Sequence, residues 1–387
     1  MTCSTGWRGT RSAIVLRQTA IATLILFTAG AWGDDAPAPA VVLSHLTDAT
    51  GKSLGSLDDW LRENHVPGVS IAVIEDFQIA WTWTAGKADA ESGRKVDTDT
   101  LFQAASISKA VSAAASHILA EQGKLSLDQP VNEQLKSWQV PAYDFPGAPP
   151  VTPRLLLSHR AGTNAHGFDG YPADAPLPTV VQILNGESPA ISPAIIVEHA
   201  PGEAFQYSGG GITIMQLLLG DITGNAPGDV VQELVLQHAG MTRSFYSQPL
   251  DPALTGNAAL AHYGRGRVLP GGFHVYPELF AAGLWTTPTD LAHYAIAIQN
   301  ALRGAESPFS KAVAEGLTTP VGGGPTSPGF FVDKNWFGHG GSNHGYRCEL
   351  KAHLRDGCGM AVMTNADRGG KLLSILFTTL SNAYGWE

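Results

Sequence analysis

The chain has 387 residues, 44% of them hydrophobic and only 15% charged, which is enough for one large domain or two moderate ones with real cores. A formal net charge of −10 argues against nucleic acid as a partner, because that role needs clustered cations. Three cysteines are too few for a disulfide scaffold.

In chain order, Arg8, Arg11 and Arg17 precede the apolar run TAIATLILFTAGAWG, and Ala31-Trp32-Gly33 offers a small-x-small cleavage site. Residues 1–33 therefore read as a secretory signal, with a mature start near Asp34 and a retained membrane anchor as the competing reading. Its removal takes away three arginines and Cys3, so the mature chain is more acidic still. A secreted or periplasmic protein is expected, with no stable membrane span once the signal is cleaved. Residues 34–53, including the Pro-rich Ala36–Ala40, read as a linker.

A helix is expected around Leu54–Glu63. Val69–Ile74 and Ile79–Thr84 read as strands joined in a hairpin through Glu75–Gln78. Ser106–Gln122 reads as an Ala-rich helix closed by Gly123. The middle of the chain has helical stretches at Thr179–Leu184, Ile212–Thr223 and Val230–Gln237. Strand patterns return at Gly345–His353 and Gly359–Asn365, split by an Arg-Asp-Gly turn. A final helix carries Leu372, Leu376, Phe377, Leu380 and Tyr384 at helical spacing. In that late hairpin Cys348 faces a residue near Thr364, which leaves Cys358 off register for a disulfide. The expected fold is α+β: an antiparallel sheet flanked by helices, with an inserted mainly helical domain. The sheet domain takes residues 54–115 and 286–387, and the helical domain residues 116–285.

Several chemical signals fail on inspection. Ala49–Ser53 (ATGKS) ends like a phosphate loop, but Leu46 stands where the required glycine would be. There are 13 histidines, yet no HExxH or paired CxxC, and no G-x-S-x-G elbow. No metal or cofactor is expected. Ser106-Ile-Ser-Lys109 is different: a Ser and a Lys three apart on a helix share one face. The lysine takes the hydroxyl proton if its pKa falls from about 10.4 by roughly 3 units, near 4 kcal/mol. The helix start supplies free N–H groups where an oxyanion would form. The spacing alone is weak, since Ser92-Gly93-Arg94-Lys95 repeats it in a Gly-containing turn. Ser106 also fits an ordinary helix cap. Farther on, Tyr207 leads into Ser208-Gly209-Gly210-Gly211, which reads as a phosphate cradle, a plain turn, or a turn that serves Tyr207. His339-Gly340-Gly341 precedes a late strand.

The order SxxK, then Y-x-x, then [K/H]-x-G resembles the serine β-lactamase and penicillin-recognising family, in its class C branch, which also includes esterases and D,D-peptidases. The resemblance covers roughly residues 60–387 through VPGVSIAVIEDFQIAWTWTAGKAD, LFQAASISKAV, GKLSLDQPV, VTPRLLLSHRAGT, PGEAFQYSGG, AGMTRSFY, AAGLWTTPTDLAHY and GHGGSNHGYR. It implies Ser106 as acylated nucleophile and Lys109 with Tyr207 as the proton-transfer pair, their division of labour open. It implies an oxyanion hole from the N–H groups of Ser106 and Ser342. His339 stands where the Lys of K-T-G would be, as a group titrating near neutrality. His159, in LLSHRAG, is expected to be structural.

The departures from the pattern are informative. Gly209 replaces the Asn of Y-x-N and Gly340 the Thr of K-T-G, so grips on an amide and a carboxylate are missing. Asn343 and Arg347 are candidate replacement contacts, and His166 with Tyr171 a candidate rim. Trp81, Trp83 and Trp285 are expected in the core. An exported serine hydrolase is expected, acting through an acyl-enzyme on a small-molecule or peptide-like ester or amide. The alternative is a penicillin-binding sensor that acylates without efficient turnover, and a metallohydrolase ranks last.

Overall fold

A computed structural model describes residues 37–387. The expected signal over residues 1–33 lies outside the described residues. Among these residues no helix is long and apolar enough to cross a membrane.

The main sheet uses six strands: β1 (Gly68–Glu75), β2 (Gln78–Gly86), β3 (Phe331–Asp333), β4 (Trp336–Asn343), β5 (Tyr346–His353) and β6 (Gly359–Thr364). All neighbours are antiparallel, in the order β2-β1-β6-β5-β4-β3. The first hairpin turns at Asp76 and Phe77, both with positive φ, which matches the twist of the strands they join. β1 is buried along nearly its whole length because helices cover both faces. Of four long helices, α1 (Ile107–Glu121), α3 (Pro288–Leu302) and α4 (Gly370–Tyr384) pack on the sheet, and α2 (Gly209–Thr223) packs among other helices. The period-2 alternation of β5 sorts its two faces. Cys348, Leu350 and Ala352 enter the core that α1 shares, while Lys351 reaches Phe377 of α4.

The residues between α1 and α3 form short helices and loops around α2. Away from the main sheet, Phe102–Gln103 and Trp285–Thr286 pair with each other as a separate two-stranded sheet. This joint brings the start of α1 beside the segment just before Trp285, and Ala104 N–H bonds Leu284 O at 2.8 Å. Trp285 is fully buried and Trp81 nearly so, while Trp83 is half-buried.

Two expectations need correction. Part of the segment read as a linker is packed: Pro39–Leu43 forms a helix against α4, Leu46 is fully buried, and Thr47 N–H donates to Thr379 Oγ1 at 3.0 Å. Apolar residues among the prolines gave it something to bury. Next, Gly209–Gly211, read as a turn or cradle ahead of a helix at Ile212–Thr223, are themselves the first turn of α2, capped by Ser208 Oγ, which accepts Gly211 N–H at 2.9 Å. A Cβ at 209 would lie 3.0 Å from the Phe168 ring, one at 210 would lie 2.7 Å from Ile195, and one at 211 would lie 2.8 Å from Thr163 Oγ1. Glycine is required here by close approach. The late hairpin is as expected: Cys348 pairs with Met363, next to Thr364, and it and Cys358 are free and buried.

Candidate active site

α1 starts from a strained turn. Ala105 has φ +48°, a left-handed conformation that costs a non-glycine residue roughly 1–2 kcal/mol. Ser106 follows at the cap position, but its side chain makes no capping bond. Its hydroxyl is turned to other partners. Lys109 Nζ lies 2.9 Å from Ser106 Oγ, one helical turn on, and donates to Ala281 O at 2.6 Å. No acid pairs with Lys109 among the described residues, and burial alone pulls its pKa down to about 7. The drop expected from the chemistry is thus supplied by desolvation.

Tyr207 also hydrogen-bonds the Ser106 side chain, and its ring lies 5.1 Å from Lys109 Nζ. Burial raises the phenol to about 12. The tyrosine is clamped by His159, whose ring packs 4.3 Å from it. His159 O accepts Gln206 N–H at 2.8 Å and His159 Nδ1 accepts Ser208 N–H at 3.2 Å, so the residues on both sides of Tyr207 are fixed. Burial first, then Lys109 and His339, hold the His159 imidazole well below its usual range, hence neutral and able to accept.

β4 closes the site from the other side. β3 pairs with it only as far as Gly338, which leaves the edge of His339–Asn343 free of that neighbour. A Cβ at Gly341 would run into Ala104 O and Cys348 Sγ, so this glycine lets the strand reach the turn before Ser106. His339 comes within 6.0 Å of the Tyr207 ring. The expectation that it titrates near neutrality is corrected: burial, and then Lys109, push it down to about 3, so the ring is uncharged at pH 7. Its Nε2 has no partner.

Asn343 and Arg347 are corrected as well. Asn343 is buried and donates to Gln103 Oε1 at 2.7 Å and Ala282 O at 3.1 Å. Arg347 donates to Asn343 O and Tyr346 O, both at 2.7 Å, and pairs with Asp367 at 3.2 Å. These bonds brace the end of β4. Ser342, opposite Arg347, is exposed. Of the proposed rim, His166 is exposed 4.8 Å from Tyr207, whereas Tyr171 is buried and its hydroxyl accepts Ile191 N–H at 3.2 Å.

The two departure glycines differ in surroundings. The space beside Gly209 is filled by Phe168, whereas a Cβ at Gly340 would meet nothing closer than Cys348 O at 3.9 Å. Gly340 borders a groove of about 270 Å³ lined by Phe331, Trp336, Glu349 and Lys351 among others. Sequence reasoning missed the aromatic mouth: Phe331 stacks on Tyr207 at 6.1 Å, and the partly exposed Phe205 meets Phe331 at 6.1 Å. Phe205 stood two residues before Tyr207 in a quoted block, but nothing local marked Phe331.

The Beta-lactamase family matches residues 43–378. The Unguisins hydrolase ungD' of Aspergillus campestris (strain IBT 28561) is 28% identical over 228 residues, 56% of this chain and 39% of that protein. The chain thus spans well under half of that relative's length. Two solved structures share the fold. One is EstCE1, a hydrolase with promiscuous acyltransferase activity (TM-score 0.67, 20% identity, covering 83% of this chain and 96% of that one). The other is the D-amino acid amidase from Ochrobactrum anthropi SV3 complexed with D-phenylalanine (TM-score 0.64, 18% identity, 85% and 96%). With the family match running through nearly all of the described residues, and the sheet and helices arranged as in these structures, the chain belongs to the beta-lactamase family.

Proposed function

We propose that this protein is an exported serine hydrolase that cleaves a neutral acyl substrate, a small ester before an amide, through an acyl-enzyme on Ser106. One observation carries the reading. Lys109 lies 2.9 Å from Ser106 Oγ, has its pKa near 7, and has no carboxylate among the described residues to keep it charged. A neutral amine is a base, and a phenol at about 12 is still a proton donor. On this reading Lys109 is the base and Tyr207 the acid.

Lys109 Nζ takes the Ser106 hydroxyl proton as Oγ attacks the acyl carbon. The carbonyl oxygen becomes an oxyanion held by the N–H groups of Ser106 and Ser342. Tyr207 gives its proton to the leaving oxygen and regains one from Lys109, so the pair ends as it began. Water then repeats the sequence on the ester of Ser106, releasing the acid and restoring the hydroxyl.

The preference for a neutral substrate rests on what surrounds this centre. His339 is uncharged, Gly340 offers no hydroxyl, and Phe168 occupies the space beside Gly209. Nothing here grips a carboxylate or an amide, while Phe331 and Phe205 present aromatic surface to an apolar group. The names of the hydrolase, amidase and EstCE1 relatives keep an amide as the second choice. Hydrolysis of p-nitrophenyl butyrate by the full chain tests the proposal: Ser106→Ala is expected to abolish turnover and leave the thermal transition in place. Full activity in that variant would sink it. A long-lived adduct with a fluorescent penicillin, and no turnover of any ester, would favour the slow-acylating sensor.

A further inference from the structure

Behind the loop that carries His166 and Phe168 lies a second cavity, about 130 Å³, between residues 167–171 and 191–193. Its lining includes the apolar side chains of Phe168, Ile191 and Pro193, and Ile191 is 62% exposed. It also includes Glu278, which has no exposed surface. Among the described residues no other residue hydrogen-bonds either carboxylate oxygen of Glu278, which has only its own backbone N–H beside it, and Ser192 Oγ in the same lining has no partner. The titratable groups that face Glu278 are the phenols Tyr171 and Tyr276. Asp169 lines the cavity too, and no cation pairs with Glu278 among the described residues. Burial pushes the carboxyl up to about 7, so it ionises where its own backbone N–H, and no cation among the described residues, compensates it.

The donor set narrows what would compensate it. A divalent metal wants several oxygen ligands, and no group of three or more His, Cys, Asp or Glu is arranged for one among the described residues. A primary ammonium has three N–H donors, and the two residues that carry the unpaired oxygens, Glu278 and Ser192, both line this cavity. The apolar lining suits an alkyl stem.

We propose that this cavity binds a primary alkylammonium group, with Glu278 as its counter-ion and Ser192 as the third acceptor. Phe168 is shared: it lines this cavity and fills the space beside Gly209, next to Tyr207. An occupant therefore props the wall of the catalytic site. The site does not depend on how Ser106 reacts, because binding is measured without turnover.

The test is calorimetric titration of the full chain with n-butylammonium chloride, against sodium chloride and tetramethylammonium chloride at equal ionic strength. Saturable binding is expected at pH 8 for butylammonium alone. At pH 5, and in Glu278→Gln, affinity is expected to fall at least about tenfold; in Ser192→Ala it falls less. No saturable binding to the wild type, or equal binding by Glu278→Gln, overturns the proposal. If Glu278→Gln does not fold by near-ultraviolet circular dichroism, the wild-type pH comparison and Ser192→Ala decide. Kinetics separate the two sources of the amine. Competition by butylammonium against an ester bearing an amine places the group on the substrate. A changed kcat on a neutral ester, without competition, makes it a separate effector.

Discussion

The chain carries the Ser-x-x-Lys spacing twice, and the two copies meet opposite surroundings. Ser92 and Lys95 are exposed in a turn where Gly93 has φ +78°; the Ser92 N–H donates to Asp89 and its hydroxyl accepts from Arg94 N–H. Ser106 and Lys109 sit on the first turn of a buried helix where no acid pairs with Lys109 among the described residues, so the amine is dehydrated and lies 2.9 Å from the hydroxyl. Spacing sets which atoms are able to meet; burial sets whether their meeting is chemistry.

The largest expected effects break or keep this contrast directly. Ser106→Ala and Lys109→Ala should each lower kcat/KM on p-nitrophenyl butyrate by about 10³-fold or more, while Ser92→Ala and Lys95→Ala stay within about twofold. A comparable loss from the exposed copy would end the comparison. Next comes Tyr207→Phe, which keeps the ring on Phe331 and removes only the proton: about a 10²-fold loss is expected, mostly in kcat.

The pH profile sharpens the contrast further. Lys109 is active when neutral, so kcat/KM should rise about tenfold per pH unit below about 7 and level off above it. His339 should add no step near neutrality, since its ring is already neutral there. A rate that falls as pH rises through 7 would contradict the lysine-base reading.

The smallest effects concern the two departure glycines, where the same question of surroundings is asked of stability. Gly209→Asn must push on the Phe168 ring, so a cost of about 1–3 kcal/mol is expected by denaturant titration. Gly340→Thr enters open space and should stay within about 0.5 kcal/mol. Equal costs would mean that the two positions are not distinguished by packing.

Much of the site was legible because it is local. The Ser106–Lys109 pair lies within one turn, and Tyr207 precedes a run of glycines that only a close approach explains. The late strands alternate by two, and the final helix repeats by 3.6, so both were readable from pattern. The misreadings came from properties that need neighbours. His339 looked like a titrating cation until burial and Lys109 were placed around it. Asn343 and Arg347 looked free until Gln103, Ala282 and Asp367 arrived from distant parts of the chain.

By itself, then, the sequence determined the α+β class, the strand and helix patterns, and the order of the three motifs, because periodicity and spacing act through covalent neighbours. Only the tertiary structure decided the charge states of Lys109, Tyr207 and His339, the filling of the space beside Gly209, the aromatic mouth at Phe331, and the unpaired carboxylate of Glu278. Each of those depends on how much water remains around a group. That is set by residues a hundred or more positions away along the chain, as the bond between Asn343 and Gln103 illustrates.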